Sequence, residues 1–430
     1  MSRYKEINSL LFVENRERLK KLLLPDSLVI LNSNDQFPRN GDQTMPYRQN
    51  SDLFWASGLD QEKTVLLIYP DCPLPKYREV AFIVKTNPQI AVWEGYKYTQ
   101  DHASRISGIK TICWLEEFEM ILHELMTYTA NVYLNANEYP RFKTEVEYRD
   151  MRFTKWLREQ YPNHNYLRLA PLLTEMRLIK TDREMELISE ACRITGDTFL
   201  KLLNTVKPGI MEYEIQAVID YEFIRNRANG HAYEPIVASG PNALCLHYTD
   251  NNDECKDGDL LLMDFGAEYA NYAADLSRTI PVNGKFTKRQ KDCYEAVLNV
   301  FKLAKQLIKP GLSINEINSE VNKLMESEMI SLGLFTKEEF ESQPSDQPLF
   351  AKYFMHGTSH FLGLDVHDAG TKHVKLKPGM VITCEPGIYI SEENLGIRIE
   401  TDLLITENGN MDLMENLPAE VGEIETLMNC

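Results

Sequence analysis

The sequence predicts two domains in series, an α/β layer domain followed by an α+β domain assembled from two repeated halves. Three observations carry this reading. In the first part of the chain, short apolar runs alternate with helical or turn-rich segments. In the second, a helix-ending Lys207-Pro-Gly recurs as Lys309-Pro-Gly. Two acidic pairs, Asp264 with Asp275 and Glu385 with Glu400, fall on two apolar hairpins. At 430 residues the chain also exceeds the usual size of one domain.

The elements follow in order. Residues 7–23 form an amphipathic helical pattern. Apolar runs start at Ser27 (SLVILNS), Thr64 (TVLLIYP), Glu79 (EVAFIVK), Thr111 (TICWL) and Asn131 (NVYLN), each of strand length. No phosphate-cradling glycine motif accompanies them. Residues 143–160 predict another helix. The polar QYPNHN at 160–165 then breaks the pattern, and the boundary is placed at 172, giving domains 1–172 and 173–430.

The repeat is short but consistent. Lys207-Pro-Gly-Ile-x-x-x-Glu214-Ile215 matches Lys309-Pro-Gly-Leu-x-x-x-Glu316-Ile317 at an offset of 102 residues. Gly258-Asp-Leu-Leu-Leu-Met-Asp264 matches Gly379-Met-Val-Ile-Thr-Cys-Glu385 at an offset of 121. The 19 extra residues belong in the polar stretch 334–348. Two such halves, related by an approximate two-fold, bring their acidic hairpins together.

Folding the first hairpin at Ala270-Asn271 sets Asp264 opposite Asp275. Folding the second at Glu392-Glu393-Asn394 sets Glu385 opposite Glu400. Directly opposed Cβ atoms lie roughly 4.5–5.5 Å apart. A single Asp ending a strand commonly serves as a turn or cap residue. Four acids on matched apolar hairpins need partners, because burying unpaired carboxylates is costly. Two divalent cations would balance them. His356-Gly-Thr-Ser-His360 offers a nitrogen ligand. Gly357, Thr358 and Ser359 argue against a helical His-x-x-x-His zinc site, so His360 is the candidate ligand and His356 a neighbour. Arg398, two residues before Glu400, shares its strand face and points to the same place.

Composition excludes several classes. A net charge of −18 disfavours phosphate-backbone binding, so nucleic acid is not an expected partner. No run approaches the roughly 20 apolar residues of a membrane span. The first residues carry no signal-peptide core. The eight cysteines lack CxxC spacing, and several, Cys113 and Cys384 among them, sit in apolar runs as small buried thiols. A cytoplasmic location is expected.

The segments HGTSHFLGLDVHD (356–368), CEPGIY (384–389), GIRIETD (396–402), MDFGAEY (263–269) and ADLSRT (274–279) resemble the signatures of the pita-bread metallopeptidases. Within them the chain resembles the aminopeptidase P and prolidase branch. MPYRQNSDLFWASG (45–58) resembles that branch's accessory domain more loosely. The resemblance implies an α/β accessory domain before a creatinase/aminopeptidase-like catalytic domain with a pseudo-two-fold. It places five metal ligands on Asp264, Asp275, His360, Glu385 and Glu400. It also implies that His367 bonds the substrate backbone and that His247 helps hold substrate and stabilise the tetrahedral intermediate. Four oxygen donors and one imidazole form a mostly hard site suited to Mn²⁺, with Co²⁺ or Zn²⁺ as alternatives. Trp93 resembles an aromatic that reaches a neighbouring subunit in some relatives, although core packing is the ordinary role of a tryptophan.

The implied reaction is hydrolysis of the bond before proline in peptides carrying proline second. A metal-bridging hydroxide attacks the carbonyl, Glu385 exchanges the proton, and His247 or His367 supports the oxyanion. An X-Pro bond has no N–H for a general peptidase to grip. The resemblance also implies a homo-oligomer, dimer or tetramer. The alternatives are a prolidase restricted to Xaa-Pro dipeptides and a metal-free binding module on the same fold. The complete ligand set opposes the module. Creatinase-like hydrolases lack this set, and methionine aminopeptidases seldom carry the accessory domain.

Overall fold

The computed structural model describes residues 3–344 and 347–430. The chain divides into two compact units, Met1–Arg177 and Leu178–Cys430. Residue 172 lies inside the helix Ala170–Leu178, and the division falls at the end of that helix. The polar segment before it leads into the strand Asn165–Arg168, which the sequence reading did not identify.

The first unit is built on a six-stranded mixed sheet. Its order is Thr111–Trp114, Glu79–Ile83, Val65–Ile68, Ser27–Asn32, Asn131–Leu134, Asn165–Arg168. The central Ser27–Asn32 runs antiparallel to Val65–Ile68 and parallel to Asn131–Leu134. Every residue of this strand is buried, as its near-continuous apolar run requires when both faces are covered. The helix expected over 7–23 spans Leu10–Lys20, and the one expected over 143–160 starts only at Arg149. Trp93 does not pack in a core: it is 90% exposed on the helix Pro88–Glu94. Cys113 is only half-buried, while Cys384 is fully buried, and all eight cysteines are free.

Asp150, in the first turn of the helix Arg149–Gln160, is buried and accepts a hydrogen bond from Asn32 at 2.9 Å. Burial pushes its carboxyl up to about 7. The folded chain therefore binds a proton that the unfolded chain has lost between about pH 4 and 7, so this group's contribution falls as pH rises through that window. Asp150→Asn is expected to flatten the fall and to raise the unfolding midpoint at pH 8. All four tryptophans (55, 93, 114 and 156) lie in the first unit, so tryptophan fluorescence in a denaturant titration measures it selectively. An unchanged pH dependence would contradict the expectation.

The second unit carries the repeat. Helices Asp182–Leu203 and Glu212–Arg225 flank the first Lys-Pro-Gly, and Lys288–Leu307 and Ile314–Ser331 flank the second. Gly209 and Gly311 have φ of 88° and 89°, a region open to glycine. Their N–H groups donate to Cys255 and Leu376, each at 2.9 Å. Isolated bridges pair Met211 with Glu254 and Ser313 with Lys375. These pairs reproduce the offsets of 102 and 121 read from the sequence. The inserted stretch 334–348 includes a short helix, Lys337–Ser342, and residues 345 and 346 lie outside the described residues.

Strand Leu260–Asp264 pairs with Ser277–Pro281, and Val381–Cys384 with Thr401–Ile405. The first hairpin turns at Ala270-Asn271, both at positive φ, where the type I′ geometry of a two-residue hairpin requires it. Its register differs from the expectation: Asp264 faces Ser277, not Asp275. The shift is two residues. Because strand side chains alternate with period two, both aspartates stay on one face, as diagonal rather than direct neighbours. In the second hairpin, Cys384 faces Thr401 and Gly387 faces Arg398, which leaves Glu385 opposite Glu400 as expected. The halves meet where Glu400 N–H donates to Ser277 O at 3.0 Å and the Thr279 hydroxyl to Arg398 O at 3.2 Å.

Candidate metal centre

Donor atoms of Asp275, His360 and Glu400 all lie within 4.8 Å of one another. His360 Nε2 is 3.3 Å from an Asp275 carboxylate oxygen and 3.7 Å from one of Glu385. Asp264 joins through Tyr233, whose buried hydroxyl contacts both Asp264, at 2.6 Å, and Asp275. Four of the five expected ligands thus share direct side-chain contacts or the 4.8 Å cluster, and Tyr233 ties in the fifth. Among the described residues, none of the five pairs with a lysine, and only Asp264 pairs with an arginine, Arg398.

His360 does not lie on a regular strand. Phe361 makes a single bridge to Ile382, and the chain turns through 363–368. Backbone hydrogen bonds to Thr383 fix His360 against the sheet edge. Its Nδ1 lies 3.1 Å from the Phe361 carbonyl, which can only accept, so Nδ1 carries a proton and Nε2 is the nitrogen left to face the acids. His356 uses the same device: Nδ1–H donates to Gly357 O at 2.9 Å, and Nε2 accepts from the Tyr389 hydroxyl at 2.9 Å. Burial, with Arg398 nearby, holds His356 down to about 4, so it is neutral at pH 7. Arg398 is buried and spreads its guanidinium over Tyr389 and Ser277, each at 2.8 Å, and Asp264.

The electrostatics follow from crowding. Burial and the neighbouring Asp275 push Glu385 up to about 7, against the opposing pull of His360. Glu400 is driven well above the carboxylate range by burial and by Asp275 and Glu385, and Asp275 is raised by burial and Asp264. Burial alone would lower His360, but Asp275 and Glu385 outweigh it and raise the imidazole to about 9. Such a set is short of positive charge. Its oxygen-rich donors with one imidazole fit hard divalent ions.

His367 packs edge-on against His360, ring centroids 4.4 Å apart, and its side chain is exposed. Its loop is pinned by the buried ion pair of Lys180 with Asp368 at 3.0 Å. His247 is exposed on the segment after the short helical turn Gly240–Leu244. Among the described residues, no hydrogen bond or ion pair joins it to the five acidic and imidazole side chains. Tyr233, Ser277, Thr383, Tyr389 and Asp402 were not anticipated. Ser277, Tyr389 and Asp402 lie inside the signature segments quoted above and Thr383 inside the repeated strand approach, but none was singled out there; each is selected by a hydrogen bond. Asp402, for example, is fully buried and accepts from the Asp275 N–H at 2.9 Å.

A chain of two compact units, the second carrying this acidic and imidazole cluster, has the make-up of a metallopeptidase. Residues 186–407 match metallopeptidase family M24, and residues 12–133 match the aminopeptidase P amino-terminal domain. The chain belongs to family M24. It is 36% identical to an Xaa-Pro aminopeptidase of Haemophilus influenzae over 97% of each chain. Its fold matches aminopeptidase P from Escherichia coli with the inhibitor Pro-Leu, at a TM-score of 0.88 and 33% identity, over 99% of both chains. It also matches the zinc-substituted E. coli enzyme in complex with product, at 0.88 and 32%, again over 99% of both. These relatives share the pita-bread fold seen here.

Proposed function

We propose that this chain is an Xaa-Pro aminopeptidase that uses two divalent ions. The observation that carries the reading is the convergence of Asp275, His360 and Glu400, with Glu385 and Asp264 beside them. These five residues would hold the ions, and Mn²⁺ suits their donor set best. When bound, the ions supply Lewis acidity that lowers the pKa of water and polarises a carbonyl.

The chain's own residues do the rest. Glu385, partly exposed and beside His360 and His356, is placed to take the proton from the attacking water and deliver it to the departing proline nitrogen. Arg398 fixes Asp264, and Tyr389 ties Arg398 to His356, so the acids keep their orientation through the reaction. His367, edge-on to His360, faces solvent where a peptide backbone would lie. His247 takes the second substrate contact. The natural partners are then peptides with proline second. The exposed Val92 and Trp93 support self-association as a dimer or tetramer, and eight free cysteines fit a reducing, cytoplasmic setting. Among the described residues no helix is long and apolar enough to cross a membrane.

The test is a panel of Xaa-Pro and Xaa-Ala peptides, two to five residues long, with Mn²⁺. Arg-Pro-Pro is expected to lose its first residue faster than Gly-Pro is split, and Xaa-Ala peptides are expected to persist. Turnover of Gly-Pro alone would make the chain a prolidase. No turnover of any Xaa-Pro peptide would overturn the assignment.

A further inference from the structure

The segment that carries His247 is organised around one carboxylate outside the metal centre. Glu212 opens the helix Glu212–Arg225 and is 0% exposed. Its Oε1 accepts from Ser239 N–H at 2.7 Å and from the Asn242 side chain at 3.0 Å. Its Oε2 accepts from the Tyr248 hydroxyl at 2.7 Å and from Asp253 N–H at 2.9 Å. Among the described residues no lysine or arginine pairs with it. The four donors span the whole loop, from the end of the strand Ile236–Ser239 to Asp253, and one of them is the neighbour of His247.

The internal repeat shows what this position needs for stability alone. At the offset of 102 residues, Glu212 corresponds to Ile314, which opens the equivalent helix and is equally buried. An apolar residue therefore suffices at that point of the fold. Replacing buried charge by well-packed apolar groups is often neutral or stabilising, so the carboxylate in the first half calls for another reason. Its position supplies one. The loop lies beside the centre: Leu244, Leu246 and Tyr248 pack on a cluster that includes Tyr389, the residue bonded to Arg398 and His356. A Cβ on Gly396 would come within 2.6 Å of Ala243 O, so the loop is in close contact with the strand Leu395–Arg398.

We propose that Glu212 is a positioning residue, which fixes the loop 239–253 so that His247 meets the substrate in one geometry. The proposal rests on the reading of His247 as a substrate contact. In Glu212→Gln the side-chain amide must turn its N–H₂ toward one pair of partners, so that one backbone N–H of the loop, that of Ser239 or Asp253, loses its acceptor while size is kept.

The experiment is a double-mutant cycle on Arg-Pro-Pro hydrolysis with Mn²⁺, with bound metal measured for each variant. E212Q is expected to lower kcat/KM about tenfold, chiefly through KM, with metal content unchanged. In the His247→Ala background the same substitution is expected to change kcat/KM by less than about twofold. Tyr248→Phe, which removes one donor and keeps the packing, should show a smaller loss with the same dependence on His247. An equal loss from E212Q with and without His247 would overturn the positioning role and leave the His247 reading standing. Wild-type activity in H247A would overturn both.

Discussion

Asp275→Asn is expected to reduce Xaa-Pro hydrolysis by about 10³-fold or more and to weaken metal binding. Asp275 is the most connected of the acids. One oxygen faces His360 Nε2 at 3.3 Å, the other accepts from Tyr233, and its N–H is held by Asp402. Asparagine fits the same space but removes the charge, so packing is preserved while the site loses a donor. Lewis-acid stabilisation of a transition state is worth several kcal/mol, and each 1.36 kcal/mol is a factor of ten. Steady-state kinetics with metal analysis of the purified variant provide the measurement. Retention of more than a tenth of the activity at full metal content would mean that Asp275 is not part of the centre.

Arg398→Met is expected to destabilise the metal-free chain by about 3–5 kcal/mol, because it leaves Asp264 buried without its counter-charge. Arg398→Lys is expected to restore little. One ammonium cannot reach Ser277, Tyr389 and Asp264 together as the planar guanidinium does. Adding Asp264→Asn to R398M should recover part of the loss by removing the orphaned charge. Manganese should stabilise the unsubstituted chain by mass action and the double variant much less. Far-UV circular dichroism in urea follows these changes, since the tryptophans report only the first unit. Wild-type stability in R398K would contradict the role assigned to the guanidinium.

Much of the second unit was legible because its signals are local. Lys-Pro-Gly sets helix ends through proline's missing N–H and glycine's freedom at positive φ, and both copies behave alike. The acids stood out because carboxylates on apolar strands need partners. The register of the first hairpin was misjudged by two residues, since a turn at Ala270-Asn271 pairs Asp264 with Ser277. The two-residue periodicity of a strand kept the acids on one face despite that error. The roles of Tyr233, Tyr389 and Asp402 were not legible, although the last two lie in signature segments, because hydrogen bonds across distant segments set them. Trp93 was misread for a related reason: its type favours burial, but the short helix Pro88–Glu94 buries none of its residues.

The acids are divided evenly between the halves. Asp264 and Asp275 come from the first repeat, and Glu385 and Glu400 from the second, where Glu400 meets Ser277. A growing chain therefore cannot assemble the centre until residue 400 has emerged, so catalysis has to wait for the second half.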